Sequence, residues 1–239
     1  MDSLPKCLRN SKFLFNLSRV IFNVPESLFF FREEYFAGKI KDLSIYYKSN
    51  KSLSLKRISR DTDVNSIHLK ILKKYFLLNS PSSLLDVGCG SGYLLNFLKR
   101  LRPKSRFVGI DYQSPPLINK EFQIIEGDIL KNLIEFKDDA FEFVTCTHVI
   151  EHLDKPKEII MELRRISSNY LIIILPMEKK FKWGLNYHIN FYPNKNSFID
   201  FIGDIYTNFD NKNYKYFTYS RLGDLMYVEH KIEKELDHQ

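Results

Sequence analysis

The chain is poor in cysteine: Cys7, Cys89 and Cys146 are the only three in 239 residues, and none forms a Cys-x-x-Cys pair. A sparse, odd count excludes a disulfide scaffold and makes a reducing compartment the expected setting, hence a cytoplasmic protein. Long apolar runs are missing as well; no stretch approaches the ~18 residues of a membrane-spanning helix. Met1 to Asn10 carries Asp2 and Pro5 early and has no apolar core before a small-residue cleavage site, so no secretory leader is expected. Internal repeats and recognisable nucleic-acid modules are also absent, which removes solenoid and modular nucleic-acid readers from consideration.

What is present reads as a globular protein. The apolar fraction is 44% and the charged fraction 27%, and the length suits one domain, or one domain with an appended cap. The formal net charge of +7 is unevenly placed. Residues 1–80 hold 15 Lys/Arg against 7 Asp/Glu, and the remainder is close to neutral. Such a flank suits an anionic acceptor, RNA or a membrane surface, and equally a solvated helical face.

The first 80 residues predict helices. Phe13, Leu14, Leu17, Val20 and Ile21 recur at helical spacing within Ser11 to Phe22. Leu28 to Phe36 is apolar and aromatic, and its run Phe29-Phe30-Phe31 is expected to pack rather than stack on bases. The segment Lys48 to Arg60 reads as an exposed loop, and Asp61-Thr62-Asp63 as an N-cap cluster. Val64 to Leu78 is amphipathic through Val64, Ile67, Ile71, Leu72, Tyr75 and Phe76, and stops at Asn79-Ser80-Pro81.

From residue 83 the texture alternates. Short apolar strands are predicted over Ser83–Val87, Arg106–Ile110, Phe122–Ile125, Phe141–Cys146 and Tyr170–Leu175, with helices over Tyr93–Leu101 and Pro156–Ile166. Continuously apolar strands separated by helices imply a parallel sheet covered on both faces. After a helix candidate at Asn194–Ile202, Tyr214–Tyr219 and Leu225–Ile232 flank Leu222-Gly223-Asp224, an antiparallel hairpin signal.

The chemistry concentrates at Asp86-Val87-Gly88-Cys89-Gly90-Ser91-Gly92, where a strand runs into a glycine-rich turn that opens a helix. Glycines let backbone approach a ligand closely, and a helix N-terminus offers free N–H groups. Asp86, an acid just before the glycines, suits a cationic ligand better than a pyrophosphate. Asp111 ends the next strand, where an acid can accept ribose hydroxyls. Asp128, in Glu126-Gly127-Asp128-Ile129, ends the third, where an acid can accept from an adenine amino group.

The stretch from Ser83 to Leu175 resembles the class I S-adenosylmethionine (SAM)-dependent methyltransferases, on these ordered motifs. The resemblance implies a Rossmann-like α/β fold: a seven-stranded, mostly parallel sheet with an antiparallel C-terminal hairpin and an N-terminal helical cap. It places the cap at residues 1–80 and the methyltransferase domain at 81–239. It implies that Gly88, Cys89, Gly90 and Gly92 pass the methionine part of SAM, with Asp86 at its amino group directly or through water. Asp111 takes the ribose, Asp128 and Ile129 the adenine, and Thr147 lies at the cofactor side of the fourth strand. The Pro115-Pro116 pair departs from the family by resisting a helix beside the adenine. Tyr112 then becomes a candidate to stack on adenosine.

The fourth strand runs into Cys146-Thr147-His148-Val149-Ile150-Glu151-His152, and His188 follows the fifth within Asn186-Tyr187-His188-Ile189-Asn190-Phe191-Tyr192. His148, Glu151, His152 and His188 are the candidate catalytic residues. They could orient an acceptor, move its proton, bind a metal, or merely cap the loop. The segment resembles the ExxEH of metal-dependent ubiquinone-pathway O-methyltransferases and small-RNA 3′-end methyltransferases. His148 replaces the first Glu, exchanging a hard oxygen donor for nitrogen, so no metal is assigned. Trp183, the only tryptophan, is a candidate wall of the acceptor pocket. The expected activity is methyl transfer from SAM to oxygen of a small molecule or glycan/lipid precursor. An RNA acceptor and a non-catalytic SAM-binding protein are the alternatives.

Overall fold

In the computed structural model, the described residues are 11–21, 26–43, 45–46, 62–113, 122–180, 186–206 and 214–232. Cys7, the Lys48–Arg60 segment, Asp61, Pro115-Pro116 and Trp183 lie outside them.

Helices α1 (Lys12–Ile21), α2 (Glu26–Phe36) and α3 (Ser66–Asn79) precede the sheet. Then come β1 (Ser83–Val87), α4 (Tyr93–Leu101), β2 (Arg106–Asp111), β3 (Gln123–Glu126), α5 (Ile129–Ile134) and β4 (Phe141–Thr147). A 3₁₀ turn (Ile150–His152) leads to α6 (Pro156–Ile166), β5 (Ser167–Pro176), α7 (Lys195–Tyr206), β6 (Tyr214–Arg221) and β7 (Asp224–Lys231). The predicted strands and helices are all present, most within two residues of their expected bounds. Helix α5 was not predicted, because six residues are too few for a helical period to show.

The seven strands run in the order β3-β2-β1-β4-β5-β7-β6. Strands β1 to β5 pair in parallel, and β7 pairs antiparallel to both β5 and β6. Parallel neighbours need crossover helices, and these cover both faces. Leu72 and Phe76 of α3 and Leu95 and Leu98 of α4 bury against Leu84, Phe107 and Phe143 on one side. Leu133 of α5, Ile160 and Leu163 of α6 and Phe198 of α7 bury against Leu85, Val108, Val144 and Ile173 on the other. Across the sheet's far end, Arg164 of α6 donates to Glu229 Oε1 of β7 at 2.7 Å, and the Tyr227 hydroxyl donates to Oε2 at 2.7 Å, all three groups being buried.

Helix α1 forms as its spacing predicts, and Phe13, Val20 and Ile21 of its apolar stripe face solvent. The N-cap of α3 is Asn65 rather than the Asp61–Asp63 cluster, with Oδ1 accepting from Ile67 and His68 N–H. Phe29 and Phe31 of α2 are fully buried, so the aromatic run packs. The strand order reverses between β1 and β4, and in open α/β sheets the crevice at such a point, above the carboxyl ends of the strands, is where ligands bind.

Candidate functional site

Two loops meet at that crevice. The first is the glycine turn after β1. Gly88, Gly90 and Gly92 have φ of 70°, 52° and 75°, in the left-handed region where a side chain is strained. Gly88 and Cys89 N–H both donate to Ile110 O of β2, at 2.7 and 3.0 Å, which folds the turn over the neighbouring strand. A Cβ on Gly88 would strike Val149 at 2.1 Å, whereas a Cβ on Gly90 would meet only Gly88 O, at 4.0 Å. Gly88 is therefore required by packing, and Gly90 borders open space. Gly90 N–H donates to Asp111 Oδ2 at 2.8 Å, and Gln113 N–H to Oδ1 at 3.2 Å, so the second-strand acid closes the turn.

Asp86 is 1% exposed, and Thr145 of β4 donates its hydroxyl to Oδ1 at 2.7 Å. Burial pushes this carboxyl up to about 7, against the Thr145 bond that lowers it; Asp111 adds a raising influence. No described cation pairs with it. The cradle thus fits SAM in two respects: open space at Gly90, and a buried acid that an ammonium group would stabilise. Asp128 caps α5, accepting from Lys131 N–H at 2.9 Å. The Ile129 side chain is core, leaving its backbone as the part that could meet a base. Cys89 is buried against the strand-two face, Tyr112 packs at the rim of the core, and Thr147 ends β4 paired with Ile174.

The second loop follows β4. His148 takes φ 54°, unusual for a side-chain-bearing residue, and is held there by its N–H donating to Ile174 O at 2.7 Å. That twist turns His148 back over the 3₁₀ turn, where Nδ1 lies 3.6 Å from Glu151 Oε1. His152 Nε2 lies 3.9 Å from the same oxygen. Glu151 is 1% exposed, and neither of its oxygens has a hydrogen-bond partner among the described residues. Its pKa is nevertheless lowered: burial raises it, but His148, His152 and His188 together outweigh that. His148 is raised because Glu151 overcomes the effect of burial. His152 is lowered to about 4, by burial first and then by His188. Its Nδ1 lies 3.1 Å from Tyr187 O, and a carbonyl only accepts, so Nδ1 carries the proton and Nε2 the basic lone pair.

His188 joins this group. Its ring meets that of His152 edge-on, with centroids 4.7 Å apart, and its Nδ1 pairs with Glu178. One ligand atom each from Glu151, His152 and His188 lies within 4.8 Å of the others, a spacing able to hold a metal ion. The loop that carries His188 is fastened to the 3₁₀ turn. Ile189 and Asn190 N–H donate to Glu151 O at 2.8 and 3.0 Å, and Asn190 Nδ2 donates to Ile150 O and Leu153 O at 3.0 and 2.6 Å. It is also fastened to the N-terminal region: Arg32 of α2, 2% exposed, donates from Nε to His188 O at 2.7 Å and from Nη2 to Asn186 Oδ1. All four candidate catalytic residues thus converge. Thr145, Glu178 and Arg32 were not singled out from the sequence. Only Arg32 left a trace there, as a lone cation inside an aromatic run.

A doubly wound sheet with an acid-glycine turn at its switch point, followed by acids on the next two strands, defines the class I methyltransferase fold. Residues 59–196 match a methyltransferase domain family. The chain belongs to that family of methyltransferase domains. It is 28% identical over 116 residues to the mitochondrial ubiquinone biosynthesis O-methyltransferase of Candida albicans, covering 44% of this chain and 36% of that protein. The ubiquinone biosynthesis O-methyltransferase of Hahella chejuensis is 26% identical over 114 residues, covering 44% and 47%. The matches therefore span less than half the length of these curated relatives. Among solved structures, the plantazolicin methyltransferase BpumL in complex with a desmethyl analogue and SAH superposes with TM-score 0.59 at 16% identity, over 82% of this chain and 99% of that one. At that identity the likeness is one of fold.

Proposed function

We propose that the chain transfers a methyl group from SAM to an oxygen of a small molecule or of a glycan or lipid precursor, in the cytoplasm. The observation that carries this reading is the buried Glu151 carboxylate ringed by His148, His152 and His188, one loop away from the glycine turn. SAM supplies an electrophilic sulfonium methyl, already activated. The protein must then align the acceptor oxygen and help remove its proton.

Asp86 faces the ammonium of the methionine moiety, the Gly88–Gly92 turn lets it pass, and Asp111 and Asp128 take the ribose and adenine. Neutral His152 presents Nε2 as the base. Tyr187 O fixes its tautomer through Nδ1, and the Glu151 carboxylate, 3.9 Å from Nε2, favours the imidazolium that forms on proton uptake. Glu178 and Arg32 hold His188 and its loop against the pair. A cavity of about 510 Å³, bordered by Lys179, Lys180, Asn190, Phe191 and Phe201, adjoins the same loop and gives room for an acceptor with an apolar body. The names of the relatives, O-methyltransferases of ubiquinone biosynthesis, agree with an oxygen acceptor.

The three ligand atoms within 4.8 Å favour a second reading, metal-assisted transfer, in which the same residues hold a divalent cation. One experiment separates the two. Purified protein and methyl-labelled SAM are mixed with a fractionated lysate, with and without a chelator. Label in small-molecule, lipid or glycan fractions that survives chelation supports proton transfer by His152. Label lost on chelation establishes the metal-assisted reading, and label in RNA overturns the acceptor class.

A further inference from the structure

Helix α1 turns its apolar stripe to solvent. Phe13, Leu14, Leu17, Val20 and Ile21 form one stripe and are 75%, 39%, 49%, 70% and 66% exposed. Of its polar residues, Asn16 and Arg19 are half-buried, and Arg19 Nε is sealed from solvent. A surface helix ordinarily does the opposite, and contiguous exposed apolar side chains mark a contact surface.

Charge narrows what that contact is. From Ser3 to Pro25 the chain carries Lys6, Arg9, Lys12 and Arg19 and no acidic residue. A second copy packed stripe to stripe would bring two segments of the same positive sign together. A polyanion such as RNA would satisfy the cations but leave five large apolar side chains in water. An anionic lipid surface suits both, accepting the stripe at the boundary of the acyl region and attracting a segment of positive sign. The helix has ten residues, and no described helix is long and apolar enough to cross a bilayer, so the contact lies in the interface plane.

We propose that α1 docks the protein on anionic membrane surfaces, with Phe13, Leu14, Leu17, Val20 and Ile21 inserted. The docked helix stands next to the acceptor side. Lys12 lies over the Phe30 ring of α2 at 5.4 Å, and Arg32 of α2 holds the His188 loop. A membrane-held acceptor would thus be met from the side on which the protein is anchored.

The test is co-sedimentation of the full chain with vesicles of phosphatidylcholine alone and of phosphatidylcholine mixed with phosphatidylglycerol. Because the segment from Ser3 to Pro25 is basic, binding to the mixed vesicles should be roughly tenfold tighter and should weaken with salt. The double variant Phe13→Glu/Val20→Glu should lose that binding while SAM affinity and the unfolding midpoint stay unchanged, since both side chains are exposed. Equal binding to both vesicle types, or none to the mixed ones, overturns the proposal. So does a concentration-dependent dimer, seen by sedimentation velocity, that the same variant abolishes, because the stripe would then be a subunit interface.

Discussion

The protonation of Asp86 should couple SAM binding to pH. In the free protein, burial raises this carboxyl from 3.8 to about 7. A bound ammonium group beside it favours the anion and brings the value back down. The pKa is thus high in the free state and low in the complex, so binding releases a proton wherever the free protein holds one. Affinity should be full well above pH 7, half of that at pH 7, and approach a tenfold fall for each unit below it, which is about sixteenfold, or ~1.6 kcal/mol, between pH 7 and 5.5. Above pH ~8 the ligand's own amino group begins to lose its charge, so the rise does not continue. Calorimetry at pH 6 in buffers of different ionisation enthalpy should register release of close to one proton. In Asp86→Asn the profile between pH 5.5 and 7 should be flat, with weaker binding at pH 7.5. The same substitution should raise the thermal midpoint of the ligand-free protein at pH 8. There the native anion is disfavoured relative to the unfolded chain, so stability is lost as pH rises from about 4 to 7. A pH-independent affinity with no proton release, or an unchanged profile in the variant, would refute the assignment of Asp86 to the cofactor's cation.

Three further outcomes are expected. Gly90→Val should abolish SAM binding by filling the open space beside the turn and straining a position of φ 52°, while circular dichroism stays native; near-normal affinity in calorimetry would defeat the cradle assignment. His152→Ala should lower turnover by roughly 10² to 10⁴ with little change in SAM affinity, measured by single-turnover methyl transfer to the identified acceptor; equal turnover would leave His152 a structural residue. Glu229→Ala, which strands buried Arg164 and removes the partner of the Tyr227 hydroxyl, should cost about 3–5 kcal/mol in urea unfolding, and a loss under 1 kcal/mol would show that the pair is solvated.

Sequence alone settled the order and type of the elements in the sheet. Continuous apolar runs and the glycine turn are local signals, and a parallel sheet has few ways to use them. It also marked Asp86, Asp111, Asp128 and the His148–His152 cluster, because strand ends carry ligands in such folds. Tertiary structure decided the rest. Sequence spacing cannot say which groups lose water together: Glu151 became a buried acid among three imidazoles only when the loop after β5 brought His188 across the 3₁₀ turn. Arg32 lies 156 positions from His188 and meets it only because α2 packs on that loop. Periodicity likewise identified the apolar stripe of α1, but not the side it turns to water, since helical spacing defines a face and only packing against the remaining chain chooses whether that face is covered.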